Sequence, residues 1–202
     1  MSRNNSLEKS ITVKQISPKS IVDLIVSSDM FPLFVHSLNG LDESNIYSSN
    51  VHGLNHLERV SLFAFFICLV EKKTLLDVQI ILEIAQYHDI GRINERRDFM
   101  HGFRGAEKYR TLNRITDKSD LNVVMTVIAA HSISDEKFDS IYKYYYGTDQ
   151  TQYNRVFHIY QIIKDADGLD RFRLGKKQLD IQMLRLDSSK RIVQFSYEIN
   201  QL

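Results

Sequence analysis

Leu54 to Asp89 reads LNHLERVSLFAFFICLVEKKTLLDVQIILEIAQYHD, and this stretch decides the fold. From Val60 to Val70 it is apolar nearly all round. A helix without a polar face has to be covered on every side, so Leu54 to Glu71 is predicted to be a central, buried helix. After Glu71-Lys72-Lys73 the apolar residues Leu75, Leu76, Val78, Ile80, Ile81, Leu82, Ile84, Ala85 and Tyr87 predict a second buried helix. Its end is expected near Gly91, as a left-handed cap. The longest apolar run, Leu62 to Val70, is far too short to span a bilayer.

Outward from this pair, helical signals continue. Ile21, Leu24, Ile25 and Val35 predict a helix broken or bent near Pro32, and Asn39 to Asn50 predicts a loop. Gly105 to Leu112 is a short amphipathic segment. Asp120 is placed as the N-cap of Leu121 to Ala130. Val156, Ile159, Tyr160 and Ile163 recur at helical spacing. Leu179 to Leu186 is weakly patterned, and Arg191 to Ile199 fits helix or strand. Two prolines and eight glycines in 202 residues are sparse punctuation, which favours long helices. The expected architecture is all-α: a loose N-terminal segment over 1–20, then one helical domain over 21–202.

Composition narrows function. Lys and Arg total 26 against 25 Asp and Glu, a net charge of +1, so no global field draws in nucleic acid and a general coating role is excluded. Cys68 is the only cysteine, which excludes a disulfide framework and a thiolate zinc knuckle. It is expected to be a buried thiol. The polar start, Met1 to Ser10, has no apolar signal core, and the expected compartment is the cytoplasm, with no membrane partner.

Chemistry gathers around histidines beside aspartate, glycine or a helix end. His52 and His56 open the first buried helix, His88-Asp89 follows the second, and His101 starts His-Gly-Phe-Arg-Gly-Ala. His131 ends the next helix, and Asp165-Ala166-Asp167-Gly168-Leu169-Asp170 closes another. Imidazole with carboxylate and no thiolate suits a divalent ion such as Mn, Fe, Co, Ni, Zn or Mg. Helices packed round one core can aim their ends at a common point, so ligands far apart in sequence can converge. A zincin reading of His52-x-x-x-His56 fails, because Gly53 stands where that site needs glutamate. A calcium-loop reading from Asp165 fails because Asp170 and Lys176 occupy the positions that need glycine and glutamate.

The ordered set resembles the HD superfamily of metal-dependent phosphohydrolases: His56 in His-x-x-Arg-Val, the His88-Asp89 pair after an apolar helix, and Asp167 in Ala-Asp-x-Leu. The segment His101 to Ala106 resembles a feature of some bacterial members. The resemblance covers roughly Val51 to Gly175. It implies an HD-type helical fold with His56, His88, Asp89 and Asp167 as metal ligands. It also implies cleavage of a phosphate mono- or diester by metal-bound hydroxide. Arg59 and Arg92 are then a phosphate clamp and Arg104 and His52 further substrate contacts. His101 and His131 are proton donors or ligands to a second ion. Asp165 and Asp170 are supporting carboxylates. Ile90 to Glu95 differs from the Glu-Asp segment of alarmone hydrolases, and the Gly-Tyr-Pro segment of cyclic-dinucleotide enzymes is absent. The expected substrate is therefore a nucleotide or another small phosphorylated metabolite. Two alternatives remain at this point: a metal-independent, HD-like phosphodiesterase of bacterial effector type, and a nucleotide-binding sensor without catalysis. The tyrosines at 142, 144, 145 and 146 are read either as packing or as a lid over a base. His36 and His158 are read as packing residues.

Overall fold

A computed structural model describes residues 13–201. Ten α-helices form among them and no strand. The central pair is α3 (Leu54–Val70) and α4 (Leu75–Tyr87), preceded by α1 (Pro18–Val26) and α2 (Phe31–Asn39). There follow α5 (His101–Thr111), α6 (Lys118–Ala130), α7 (Phe138–Tyr146) and α8 (Tyr153–Leu169). Two short helices, α9 (Asp187–Lys190) and α10 (Val193–Ile199), close the described chain. The all-α single domain is as expected.

The core is built where the apolar patterning is densest. Phe63, Ala64, Phe65, Phe66 and Ile67 of α3 are fully buried, as are Val78, Ile81 and Ile84 of α4. Helices α4 and α8 pack on each other and each on both α3 and α6, and α5 lies along α6. Cys68 sits inside this core, and burial pushes its thiol pKa up, which leaves it inert. Among the described residues no single helix is long and apolar enough to cross a membrane.

Local chemistry moves several boundaries. The expected bend near Pro32 is a full break: α1 and α2 meet at 89°, and Pro32 sits in the first turn of α2, where its missing N–H is harmless. Asp117, not Asp120, caps α6, its side chain accepting from the Asp120 N–H. Arg191 to Ile199 resolves as helix from Val193 onward. The loose segment expected over 1–20 is held on its described side. Ile16 donates to the Arg191 carbonyl at 2.9 Å, Gln15 bonds Lys190 and Gln194, and α1 starts at Pro18 behind its Ser17 cap. The rest of that expectation lies outside the described residues.

Glycine needs the largest correction. Gly91 is not a left-handed cap. Helix α4 ends at Tyr87, and the positive-φ glycines are Gly147 and Gly175. Gly91 is instead a point of backbone contact, where a Cβ would lie 2.1 Å from the His101 carbonyl oxygen and 2.2 Å from the Gly105 nitrogen. A Cβ on Gly102 would lie 2.7 Å from the carbonyl oxygens of Ile128 and Ala129. Gly102, Gly105, Ala106 and Tyr109 recur at helical spacing and are buried. They form one face of α5, which therefore starts at His101, four residues before the predicted segment. Gly91→Ala is expected to lower stability by about 1–3 kcal/mol through overpacking. Gly168→Ala, whose Cβ would meet only Leu184 at 3.5 Å, is expected to be neutral or stabilising by up to about 1 kcal/mol. Urea unfolding of the two variants checks the contrast.

Candidate metal centre

Five helix ends converge. His56 lies in the first turn of α3, and His101 opens α5. His88 and His131 are the C-caps of α4 and α6, and Asp167 lies in the last turn of α8. Three C-terminal poles therefore face the centre, and their orphan carbonyls favour positive charge there.

One local device orients the rings. The Nδ1–H of His88 donates to the Ala85 carbonyl at 2.8 Å, and that of His131 to the Ile128 carbonyl at 2.6 Å. The Nδ1–H of His101 donates to the Asp98 carbonyl in the same i to i−3 manner. His56 uses a carboxylate instead: its Nδ1–H donates to Asp170 Oδ2 at 2.7 Å. Each Nε2 is thus left as a bare lone pair pointing inward.

These lone pairs meet in two couples. His56 Nε2 lies 3.2 Å from His88 Nε2, and His101 Nε2 lies 2.8 Å from His131 Nε2. Two acceptors at such distances repel unless a positive charge sits between them. Zn–N bonds of about 2.0–2.1 Å at right or tetrahedral angles give N···N separations of about 2.8–3.4 Å. The first couple falls inside that range and the second at its lower edge. Asp89 joins the couples. Its Oδ1 is 3.1 Å from His101 Nε2 and 3.4 Å from His131 Nε2. Its Oδ2 is 3.7 Å from His56 Nε2 and 3.9 Å from His88 Nε2. Asp167 Oδ1 completes the first group, 3.5 Å from His56 Nε2. The sets His56, His88, Asp167 and His88, Asp89, His131 each bring three ligand atoms within 4.8 Å of one another, so these groups can hold a metal ion.

Electrostatics keep the donors ready. Burial drives the His88 pKa down to about 3 and also lowers that of His131, so both imidazoles are neutral at physiological pH. Burial alone would raise Asp89, but the surrounding imidazoles, with the His52 Nδ1–H bonded to Oδ2, hold its carboxyl well below the carboxylate range. Asp167 is lowered too: His56, His88 and Arg173 outweigh its own burial.

The four residues expected as metal ligands are thus together, and His101 and His131 join them. His52 donates Nδ1–H to Asp89 Oδ2 at 2.9 Å, a support of the centre from the loop before α3. Arg92 Nε lies 2.8 Å from the same oxygen, and its side chain lines a cavity of about 480 Å³ shared with His101, His131, Lys164 and Asp167. Arg59 and Arg104 are turned elsewhere. Arg59 forks onto Asp170 at 2.5 and 3.2 Å, and Arg104 bonds the Gly91 carbonyl and Asp98. Asp170 is the supporting carboxylate of His56, whereas Asp165 holds the Arg185 and Leu186 N–H groups of the C-terminal segment.

Arg173 was not foreseen. It bonds the Val51 carbonyl at 2.8 Å and pairs with Asp170 at 3.3 Å, tying the His52 loop to the base of α8. Only its i,i+3 spacing from Asp170 hinted at this. Tyr142 and Tyr146 stack on each other at 4.5 Å, and Tyr142 packs against Tyr153 of α8, so these tyrosines are packing residues. Lys73 donates to His158 Nδ1 at 2.7 Å, whereas His36 is exposed on α2. No family model, curated protein or solved structure matches this chain.

Asp170→Asn is expected to weaken metal binding about 10- to 100-fold, since it removes the charge that orients His56; titration of Mn²⁺ into metal-stripped protein measures it. The pH dependence has a defined sign. His88 has a folded pKa of about 3 and an unfolded one near 6.5, so the unfolded chain binds more protons between these values. Metal-free protein is therefore expected to lose stability steadily as pH falls from about 6.5 toward 3. His88→Gln is expected to flatten that slope, read from urea midpoints at pH 7 and pH 5.

Proposed function

We propose that the chain is a divalent-metal-dependent phosphohydrolase of HD type, acting on a phosphate mono- or diester of a nucleotide or small phosphorylated metabolite. The observation that carries this reading is the pair of facing imidazole couples bridged by Asp89, opening onto a cavity lined by Arg92 and Lys164. The donor set fits the metal. It is all nitrogen and oxygen, burial keeps His88 and His131 neutral, and Asp89 and Asp167 stay ionised.

His56, His88, Asp167 and Asp89 Oδ2 would hold one ion, and His101, His131 and Asp89 Oδ1 a second. A bound divalent ion supplies Lewis acidity to a phosphoryl oxygen and lowers the pKa of bound water from about 15.7 to about 7. The residues of the chain do the positioning. His101 and His131 each give Nδ1–H to a backbone carbonyl, which turns Nε2 toward the centre between the two couples. This favours the ligand role over the proton-donor role weighed from the sequence. Arg92 lies beside the reacting position with a buried Nε–H that has no well-aligned acceptor, which suits an incoming phosphate oxygen. Lys164 adds a second cation to the cavity wall, its pKa lowered by burial. Arg59 and Arg173 hold the Asp170 carboxylate in place under His56. Phosphoryl transfer needs mainly such placement and charge.

Elemental analysis of purified protein with a screen of phosphate esters tests the reading. Asp89→Ala is expected to abolish metal binding and hydrolysis together, and His131→Ala to reduce the bound metal from two equivalents to one. Full turnover in excess chelator, or in metal-stripped Asp89→Ala protein, would overturn the mechanism. Tight nucleotide binding without turnover across Mn, Co, Ni, Mg and Zn would replace the enzyme with a sensor.

A further inference from the structure

The cavity above the ligand cluster carries more positive charge than one phosphoryl group requires. On the phosphohydrolase reading, on which this inference rests, two divalent ions against Asp89 and Asp167 leave a surplus of two charges, which a single phosphate monoester dianion neutralises. The rest of the wall has its own surplus. Lys164 and Arg185 are balanced by Asp135 and Asp165. Asp98 is engaged by Arg104, with its other oxygen accepting the Met100 N–H. Arg92, Arg97 and Arg171 then remain against the single carboxylate of Asp180, which accepts from the Gln182 N–H of its own turn.

Two of these arginines stand out. Among the described residues, no carboxylate lies within ion-pair reach of Arg97 or Arg171. Arg97 lies over the Phe99 ring at 4.6 Å, and Arg171 donates Nε–H to the Gln178 carbonyl at 2.9 Å. That bond ties the 3₁₀ helix Asp170–Leu174, which follows α8, to the segment before the 3₁₀ turn Ile181–Met183. Both side chains line the same cavity as His101, His131 and Asp167. Cations gathered along a concave wall focus their field on whatever anion enters. Arginine is the side chain whose fork fits phosphate oxygens.

We propose that Arg97 and Arg171, with Arg92, form a second phosphoryl subsite, so that the substrate carries at least one phosphoryl group beyond the one cleaved. Polyphosphate esters and bisphosphates meet this requirement and simple monoesters do not. A cavity of about 480 Å³ has room for such a molecule. Its organic part meets the exposed apolar side chains of Phe99 and Met183 on the same wall.

The test reads binding, not turnover. Inorganic tripolyphosphate and orthophosphate are titrated calorimetrically into metal-stripped protein, so that neither probe acts by chelating the ion. Wild type is expected to bind tripolyphosphate at least about tenfold more tightly than orthophosphate. The exposed double variant Arg97→Gln/Arg171→Gln is expected to lose at least about tenfold for tripolyphosphate and little for orthophosphate. Arg110→Gln, on the far part of α5 and paired with Glu107, is expected to change neither. Equal affinities for the two probes overturn the subsite, as does a double variant no weaker than Arg110→Gln at an unchanged urea midpoint. The two readings fail separately. Tripolyphosphate bound through these arginines with no ester hydrolysed removes the hydrolase and keeps the subsite. Metal-dependent hydrolysis of monoesters with no gain from a second phosphoryl group removes the subsite and keeps the hydrolase.

Discussion

Two couples of imidazole nitrogens face each other across about 3 Å, and much of the structure near the centre follows from that contact. Such a contact is unfavourable by itself. It is held by ring N–H groups anchored to carbonyls and to Asp170, by a buried carboxylate between the couples, and by a core too well filled to let the rings turn away. Arginines at 59, 92 and 173 press on the two central aspartates from outside. The arrangement suits positive charge placed between the couples.

The helices explain how so many donors reach one place. A bundle brings the start of some helices beside the end of others, and here the ends of α4, α6 and α8 meet the starts of α3 and α5. The last carbonyls of a helix have no partner in the helix itself. His88 and His131 use one such carbonyl each to fix a ring, so the same atom that would be an unsatisfied acceptor sets the direction of a ligand. Capping and ligand placement are therefore a single act at these positions.

This also explains which parts of the site could be read before the fold was known. Apolar density marked α3 and α4 as buried, and a histidine directly after such a run is already at a helix end. His88 and Asp89 were legible for that reason, whereas His56 and Asp167 stood out only as members of an ordered set resembling a known family, with His101 and His131 as companions. Gly91 was misread because sequence shows that a glycine is present but not whether φ or close approach demands it. Asp117 and Asp120 are equally good caps by residue type, and only the chain's entry angle separates them. The engagement of Arg59 with Asp170 spans more than a hundred residues, so no local pattern carried it. Arg97 and Arg171 stand out only once the carboxylates around them have been assigned to other partners.

Gly102 sits where α5 touches α6, with backbone rather than side chain between His101 on one helix and His131 on the other. His56, His88 and Asp167 are carried by α3, α4 and α8, outside that seam. A single methyl group there would act as a shim, sliding one imidazole outward while its three counterparts kept their stations. The spacing of His101 and His131 is thus set at a position that offers no donor of its own, by the thickness of one carbon atom.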